Sequence, residues 1–162
     1  MQNLTKLLII FFTISLFNYS PVYGAASTSG NDGNNYSSFY KQGKKLVLRA
    51  KKLENKNKNE KAKKLYLKAI DKLEKSYEKN KKDANILNYL GYSLRKTGSL
   101  EKAEIFYLKG LEVDALHLGI NEYLGELYVQ TNRIELAIER LSVLNGCKCE
   151  EYEELKKLIE NK

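Results

Sequence analysis

Three groups of residues in this 162-residue chain have the types and spacing that chemistry needs. Cys147-Lys148-Cys149 sets two thiols two residues apart, which opens three outcomes. They are a tight disulfide ring, an intermolecular bridge, and a thiolate pair for a soft metal such as Cu(I). So small a ring strains disulfide geometry, and a lone C-x-C is a weak motif. The stronger reading is structural: Cys147 and Cys149 fasten or pack the corner before a terminal helix, with no metal. Glu122 and Glu126 stand four apart and share one face of any helix they occupy, as paired carboxylates for acid–base work would. Nothing beyond that spacing supports such a role. His117, the single histidine, has no serine or cysteine beside it in a nucleophile context. No catalytic residue and no cofactor are expected, so the chain is read as a non-enzyme.

The third group is basic. Residues 41–82 hold 17 Lys/Arg against 5 Asp/Glu, a net of +12, whereas residues 83–162 hold 10 against 14, a net of −4. Lys61, Lys64, Lys68, Lys72, Lys75 and Lys79 follow three- and four-residue steps and form a helical stripe. Such a stripe could dock on an anionic surface such as lipid headgroups, an acidic protein or cell-wall polymer. A solvated helix face is the plainer account, because Glu60, Asp71, Glu74 and Glu78 flank the stripe. Lysine outnumbers arginine 24 to 4 and asparagine numbers 15, an enrichment that an AT-rich genome produces without any nucleic-acid partner. The stripe also lacks interleaved exposed aromatics, so no nucleic acid is expected.

These residues need elements to position them. At 30% charged and 43% hydrophobic, with one Pro, two Cys and no Trp, the chain suits one domain and is neither disordered nor a disulfide scaffold. Lys6, the apolar run Leu7 to Phe17 and the polar exit Asn18 to Gly24 have the layout of a secretory signal peptide, with small residues at Val22 and Gly24. Residues 1–24 are therefore read as an export signal, periplasm being the expected destination, and the mature chain as non-spanning. Residues 25–37 are small and polar and read as a flexible linker. The folded domain is expected over 38–162.

Within it one offset dominates. Leu90-Gly91 recurs as Leu124-Gly125, Leu94 as Tyr128, Ala103 as Ala137 and Tyr107 as Leu141, all 34 apart. An upstream copy at an offset of 41 aligns Ala62 with Ala103, Tyr66 with Tyr107 and Ala69 with Gly110. Its seven extra residues, about two helical turns, are expected to lengthen the second helix of that unit. Gly inside a helix costs about 1 kcal/mol relative to Ala, so Gly91 and Gly125 must admit a close neighbour. Ala103 and Ala137 are expected at that contact, with Tyr107 and Leu141 beside them. Tyr152, Leu155, Leu158 and Ile159 form one apolar stripe on a final helix that would cap the last exposed core.

Leu87, Leu90, Gly91, Leu94, Ala103, Tyr107 and Gly110, followed by Leu124, Gly125, Tyr128, Ala137, Leu141 and Leu144, make the chain resemble the tetratricopeptide repeat family over residues 43–151. The resemblance implies an all-α, right-handed solenoid of about three helix pairs, over 43–83, 84–117 and 118–151, with a capping helix over about 150–161. It also implies a concave groove lined by the first helix of each pair. Carried over position by position, Val47 and Lys51, then Asn88, Tyr92 and Arg95, then Glu122, Glu126 and Val129 face that groove. Lys51, Asn88, Tyr92, Arg95, Glu122 and Glu126 are the residues expected to hold a protein or peptide partner. The family's carboxylate clamp is not matched, since Val47, Tyr89 and Tyr123 stand where it needs Lys, Asn and a basic residue. The function implied is a non-catalytic scaffold or adaptor in the cell envelope, the alternative being a binder of an anionic envelope surface through the lysine stripe.

Overall fold

The computed structural model describes residues 32–162, with side chains from residue 35. The export signal read over 1–24 lies outside the described residues. Seven helices follow one another: α1 (Asp32–Glu54), α2 (Asn59–Lys79), α3 (Ala84–Thr97), α4 (Leu100–Val113), α5 (Leu118–Gln130), α6 (Ile134–Leu144) and α7 (Glu150–Glu160). Links of two to five residues join them, which makes consecutive helices antiparallel neighbours. None of these helices is long and apolar enough to cross a membrane.

Local chemistry sets the boundaries. Asp83 caps α3, its carboxylate accepting from the backbone N–H groups of Asn85 and Ile86. Gly98 closes the same helix in the left-handed region at φ 96°, where a side chain would be strained. His117 caps α5: its Nδ1 accepts from the Ile120 N–H at 3.2 Å. Ser99, by contrast, makes no side-chain cap at the start of α4.

Two apolar clusters form the core. Val47, Ala50, Ala62, Tyr66, Ala69, Leu73, Ile86, Leu90 and Tyr92 fill the space between α1, α2 and α3. Ala103, Tyr107, Ile120, Leu124, Leu127, Ala137, Leu144 and Leu155 fill the one between α4 and α7. Ile70, Phe106 and Tyr123 touch both clusters, so the stack has one continuous interior. Each fully buried Leu, Ile or Tyr contributes on the order of 2 kcal/mol through the hydrophobic effect.

The extra residues of the first unit lie where the offset puts them: α2 has 21 residues and α4 has 14. α1 differs from expectation. It begins at Asp32, inside the stretch read as a linker, because Tyr36 and Tyr40 pack against the first cluster and the Tyr36 carbonyl accepts from Ser76 Oγ at 2.8 Å. Gly91 lies against the Tyr107 ring, where an added Cβ would come within 2.5 Å of Cε1. At Gly125 the equivalent contact is with Leu155 of α7, and not with α6. The nearest atoms at Gly91 all belong to Tyr107 of the same unit, whereas those at Gly125 all belong to the capping helix.

Candidate functional site

The backbones of α1, α3, α5 and α7 approach one another in sequence, while α2 and α4 meet through side chains, Tyr77 edge-on to Phe106 at 5.5 Å between centroids. The odd-numbered helices are therefore the closer-packed row and line the inner side of the stack. At positions 88, 92 and 95 of α3, one face of a helix is presented to that row.

Five of the six groove residues expected from sequence converge there. Tyr92 and Tyr123 stack with ring centroids 4.6 Å apart at 53°. Lys51 reaches over from α1, donating to Tyr123 Oη at 3.3 Å, with its ammonium 5.3 Å from the Tyr92 centroid and 5.6 Å from that of Tyr123. The Arg95 guanidinium sits 5.5 Å from the Tyr92 centroid and 5.9 Å from that of Tyr123, and forms an ion pair with Glu126. Cations on electron-rich ring faces in a partly dry site are attracted by about 1–2 kcal/mol each. Tyr66 meets Tyr92 edge-on and donates to Glu54 at 2.7 Å, and Glu54 also pairs with Lys96 at 2.9 Å.

Glu122, Glu126 and Glu154 each bring a carboxylate oxygen within 4.8 Å of the others. Glu122 is 3% exposed. Burial, a hydrogen bond shared with Glu154 and the charges of Glu126 and Glu154 push its carboxyl up to about 9, with Lys51 pulling the other way. Glu122 is thus a protonated acid at neutral pH, donating to a neighbouring carboxylate. That proton and the Arg95 charge offset two of the trio's three negative charges. Burial likewise pushes the Tyr92 hydroxyl up to about 12, which keeps the rings neutral.

Asn88 does not join this cluster. It is 7% exposed, with Nδ2 at the contact between α3 and Gly119 of α5. Val47 and Val129, also carried to the groove, are buried. Tyr92, Arg95 and Glu122 are floor rather than rim; Lys51, Glu54, Lys96 and Glu126 keep part of their polar ends in solvent. Residue-by-residue carry-over left out Tyr123, Glu54, Lys96 and Glu154. Nothing in the spacing of the α7 acids points to the groove.

The other two groups lie elsewhere. On α2, Lys61, Lys64, Lys68, Lys75 and Lys79 are exposed, while Lys72 leans over the Phe39 ring at 5.9 Å. Asp71 pairs with Lys72 at 3.6 Å and with Lys75 at 3.1 Å, so the middle of the stripe is partly neutralised. Cys147 and Cys149 are joined as a disulfide with Cα atoms 5.2 Å apart. The turn it closes has Lys148 in the left-handed region, at φ 51°, and lies between α6 and α7.

A sequence model of the tetratricopeptide repeat matches residues 84–115, which are α3, α4 and the turn after them. No curated protein sequence matches the chain. Among solved structures, the TPR domain of Arabidopsis OM64 superposes with a TM-score of 0.50 at 12% identity, covering 76% of this chain and 98% of that one. The type III secretion translocator chaperone SycD of Yersinia enterocolitica gives 0.48 at 17% identity, over 75% and 88% of the two chains. The same chaperone in complex with a peptide of the translocator YopD gives 0.48 at 19%, over 73% and 86%. With seven helices and no strand among the described residues, the protein is an all-α solenoid of tetratricopeptide fold that contains a tetratricopeptide repeat at residues 84–115.

Proposed function

We propose that this chain is a non-catalytic protein-interaction adaptor that holds a protein or peptide partner against the inner row of α1, α3 and α5. The observation that carries the reading is the Lys51–Tyr92–Tyr123–Arg95–Glu126 cluster. It places aromatic edges, a lysine and a carboxylate side by side on a floor held rigid by burial. Such a surface can stack on side chains and hydrogen-bond an extended backbone, and a rigid floor lowers the ordering cost of binding. The repeat match and the fold support a binding role, although fold alone does not assign one. The apolar run at residues 7–17 supports export, with the cell envelope as the place of work. The acid pairing within the α2 stripe makes an anionic-surface binder the weaker alternative.

The test is in-cell crosslinking and affinity capture of the wild-type chain and of a Lys51→Met/Glu126→Gln variant, washed in low and in high salt. Both replacements keep side-chain volume, so helicity measured by circular dichroism is expected to hold. A discrete protein retained by wild type at high salt and lost from the variant is the expected result. Equal capture by both removes the inner row from the interface. Capture confined to low salt, together with lipid or cell-wall material, would transfer the function to the lysine stripe.

A further inference from the structure

The row of odd-numbered helices stops at two outer faces, because α1 and α7 each have an odd-numbered neighbour on one side only. On α1 the outer face carries Leu48, 45% exposed, with Lys41, Lys45, Arg49 and Lys52 around it. Steps of three, four and seven put Lys41, Lys45 and Lys52 on the same side of the helix as Leu48. None of the four cations forms an ion pair within the described residues. Glu54, the one acid between residues 35 and 54, is already held by Tyr66 and Lys96. This face is a more open field than the α2 stripe, where Asp71 pairs with two lysines.

The opposite end has the opposite sign. Glu150, Glu151 and Glu153 crowd the first turn of α7, and Leu158, 39% exposed, lies seven residues beyond Glu151 on the same side. Each terminal face therefore carries an exposed leucine: cations surround Leu48 on α1, and on α7 the carboxylates of the first turn precede Leu158, with Lys157 and Lys162 at the far end. The two faces belong to opposite ends of the row, so they cannot meet within one molecule. They can meet between two.

We propose that a second copy of this chain is the partner for each terminal face: the α1 face of one copy docks on the α7 face of the next, in a head-to-tail stack. Burying Leu48 and Leu158 supplies the apolar part of the contact, and the unpaired cations of α1 find carboxylates without rearranging any ion pair already made. Such a contact is heterologous, since the two surfaces differ, and it leaves a free face of each kind after every addition. The assembly lengthens with concentration rather than stopping at a dimer. Charge pairs at its rim are screened within about 8 Å at physiological ionic strength, so the stack is sensitive to salt. The proposal uses the outer faces alone and does not depend on the concave-face reading.

The test is sedimentation velocity of the full chain over a concentration series, in roughly 20 mM and roughly 500 mM salt. The expected result is a mean mass that grows with concentration in low salt and shrinks towards the monomer in high salt. Two charge-reversal variants sharpen it: Lys45→Glu/Arg49→Glu/Lys52→Glu on α1, and Glu150→Lys/Glu151→Lys/Glu153→Lys on α7. Each alone is expected to be monomeric, having two faces of one sign, and an equimolar mixture to regain association at least tenfold tighter than either alone. A concentration-independent monomer in low salt would falsify the proposal, as would a mixture that stays monomeric. Co-sedimentation of a monomeric wild type with phosphatidylglycerol vesicles, lost in the α1 variant, would reassign that face to lipid and overturn the stack. Circular dichroism checks that both variants keep their helicity, and the salt series on wild type stands without them.

Discussion

Replacing Glu122 by Gln is expected to stabilise the protein at neutral pH and to remove a slope from its pH–stability curve. The carboxyl titrates at about 9 in the folded chain against an ordinary value of 4.5. Between those two values the folded state holds a proton that the unfolded state has released. Stability therefore falls as pH rises through the window, and the full contribution is present only below 4.5. Each pH unit in the window is worth about 1.4 kcal/mol, so the rise from 4.5 to 7 removes about 3 kcal/mol. Gln keeps the shape of the side chain and can donate to Glu154, but it has no proton to lose. At pH 7 the variant should gain up to about 3 kcal/mol. At about 4 °C per kcal/mol for a domain of this size, that is roughly 10 °C in Tm. Thermal melts of both proteins at pH 5, 7 and 9, followed by circular dichroism, read the difference directly. Every other titrating group is common to the two, so their difference isolates Glu122. The expected gap is smallest at pH 5 and grows to pH 9. Parallel curves, or a gap that narrows with pH, would refute the account of a proton held between α5 and α7.

Three further outcomes follow from packing and capping. Gly91→Ala drives a methyl group into the Tyr107 ring; overpacking costs of about 1–3 kcal/mol exceed the roughly 1 kcal/mol that Ala gains in a helix. Urea denaturation should show a net loss, relieved when Tyr107→Leu is added. Asp83→Ala removes the carboxylate that caps α3 and should cost about 1 kcal/mol by the same assay. Reducing Cys147–Cys149 opens a loop of only a few residues, so the expected loss is about 1–2 kcal/mol. Faster amide hydrogen exchange should then be confined to the end of α6 and the start of α7, and a global loss of protection would contradict that local role.

Much of the fold was legible because tight helix packing repeats itself. The 34-residue offset, with Gly91 against Tyr107, reflects a steric demand that recurs in each unit and so leaves a periodic trace. The seven added residues of α2 were legible for the same reason: Ala62, Tyr66, Ala69 and Leu73 keep one face buried. The first turns of α1 were not, since residues 32–37 carry no apolar period; Tyr36 ties this stretch to Ser76 and the first core cluster. At the site, the step of three and four along α3 brought Tyr92 and Arg95 to the right face. It could not tell floor from rim, because that depends on what α1 and α5 lay over each residue. Lys51 covering Tyr92, and Glu154 arriving from α7, are contacts between parts of the chain more than thirty residues apart in sequence. No local pattern records them.

The way Leu155 of α7 occupies the slot at Gly125 bears on how such a chain can change length. In the middle unit the slot is filled from within, by Tyr107, so that unit carries its own complement and could be duplicated intact. The last unit does not. A copy of it inserted after Leu144 would begin with a helix that must supply both a repeat's register and the side chain that plugs Gly125. Covalent growth at this end therefore demands two coordinated changes. A duplication of α3–α4 demands none at Gly91, which makes the interior the permissive place for a longer array to arise.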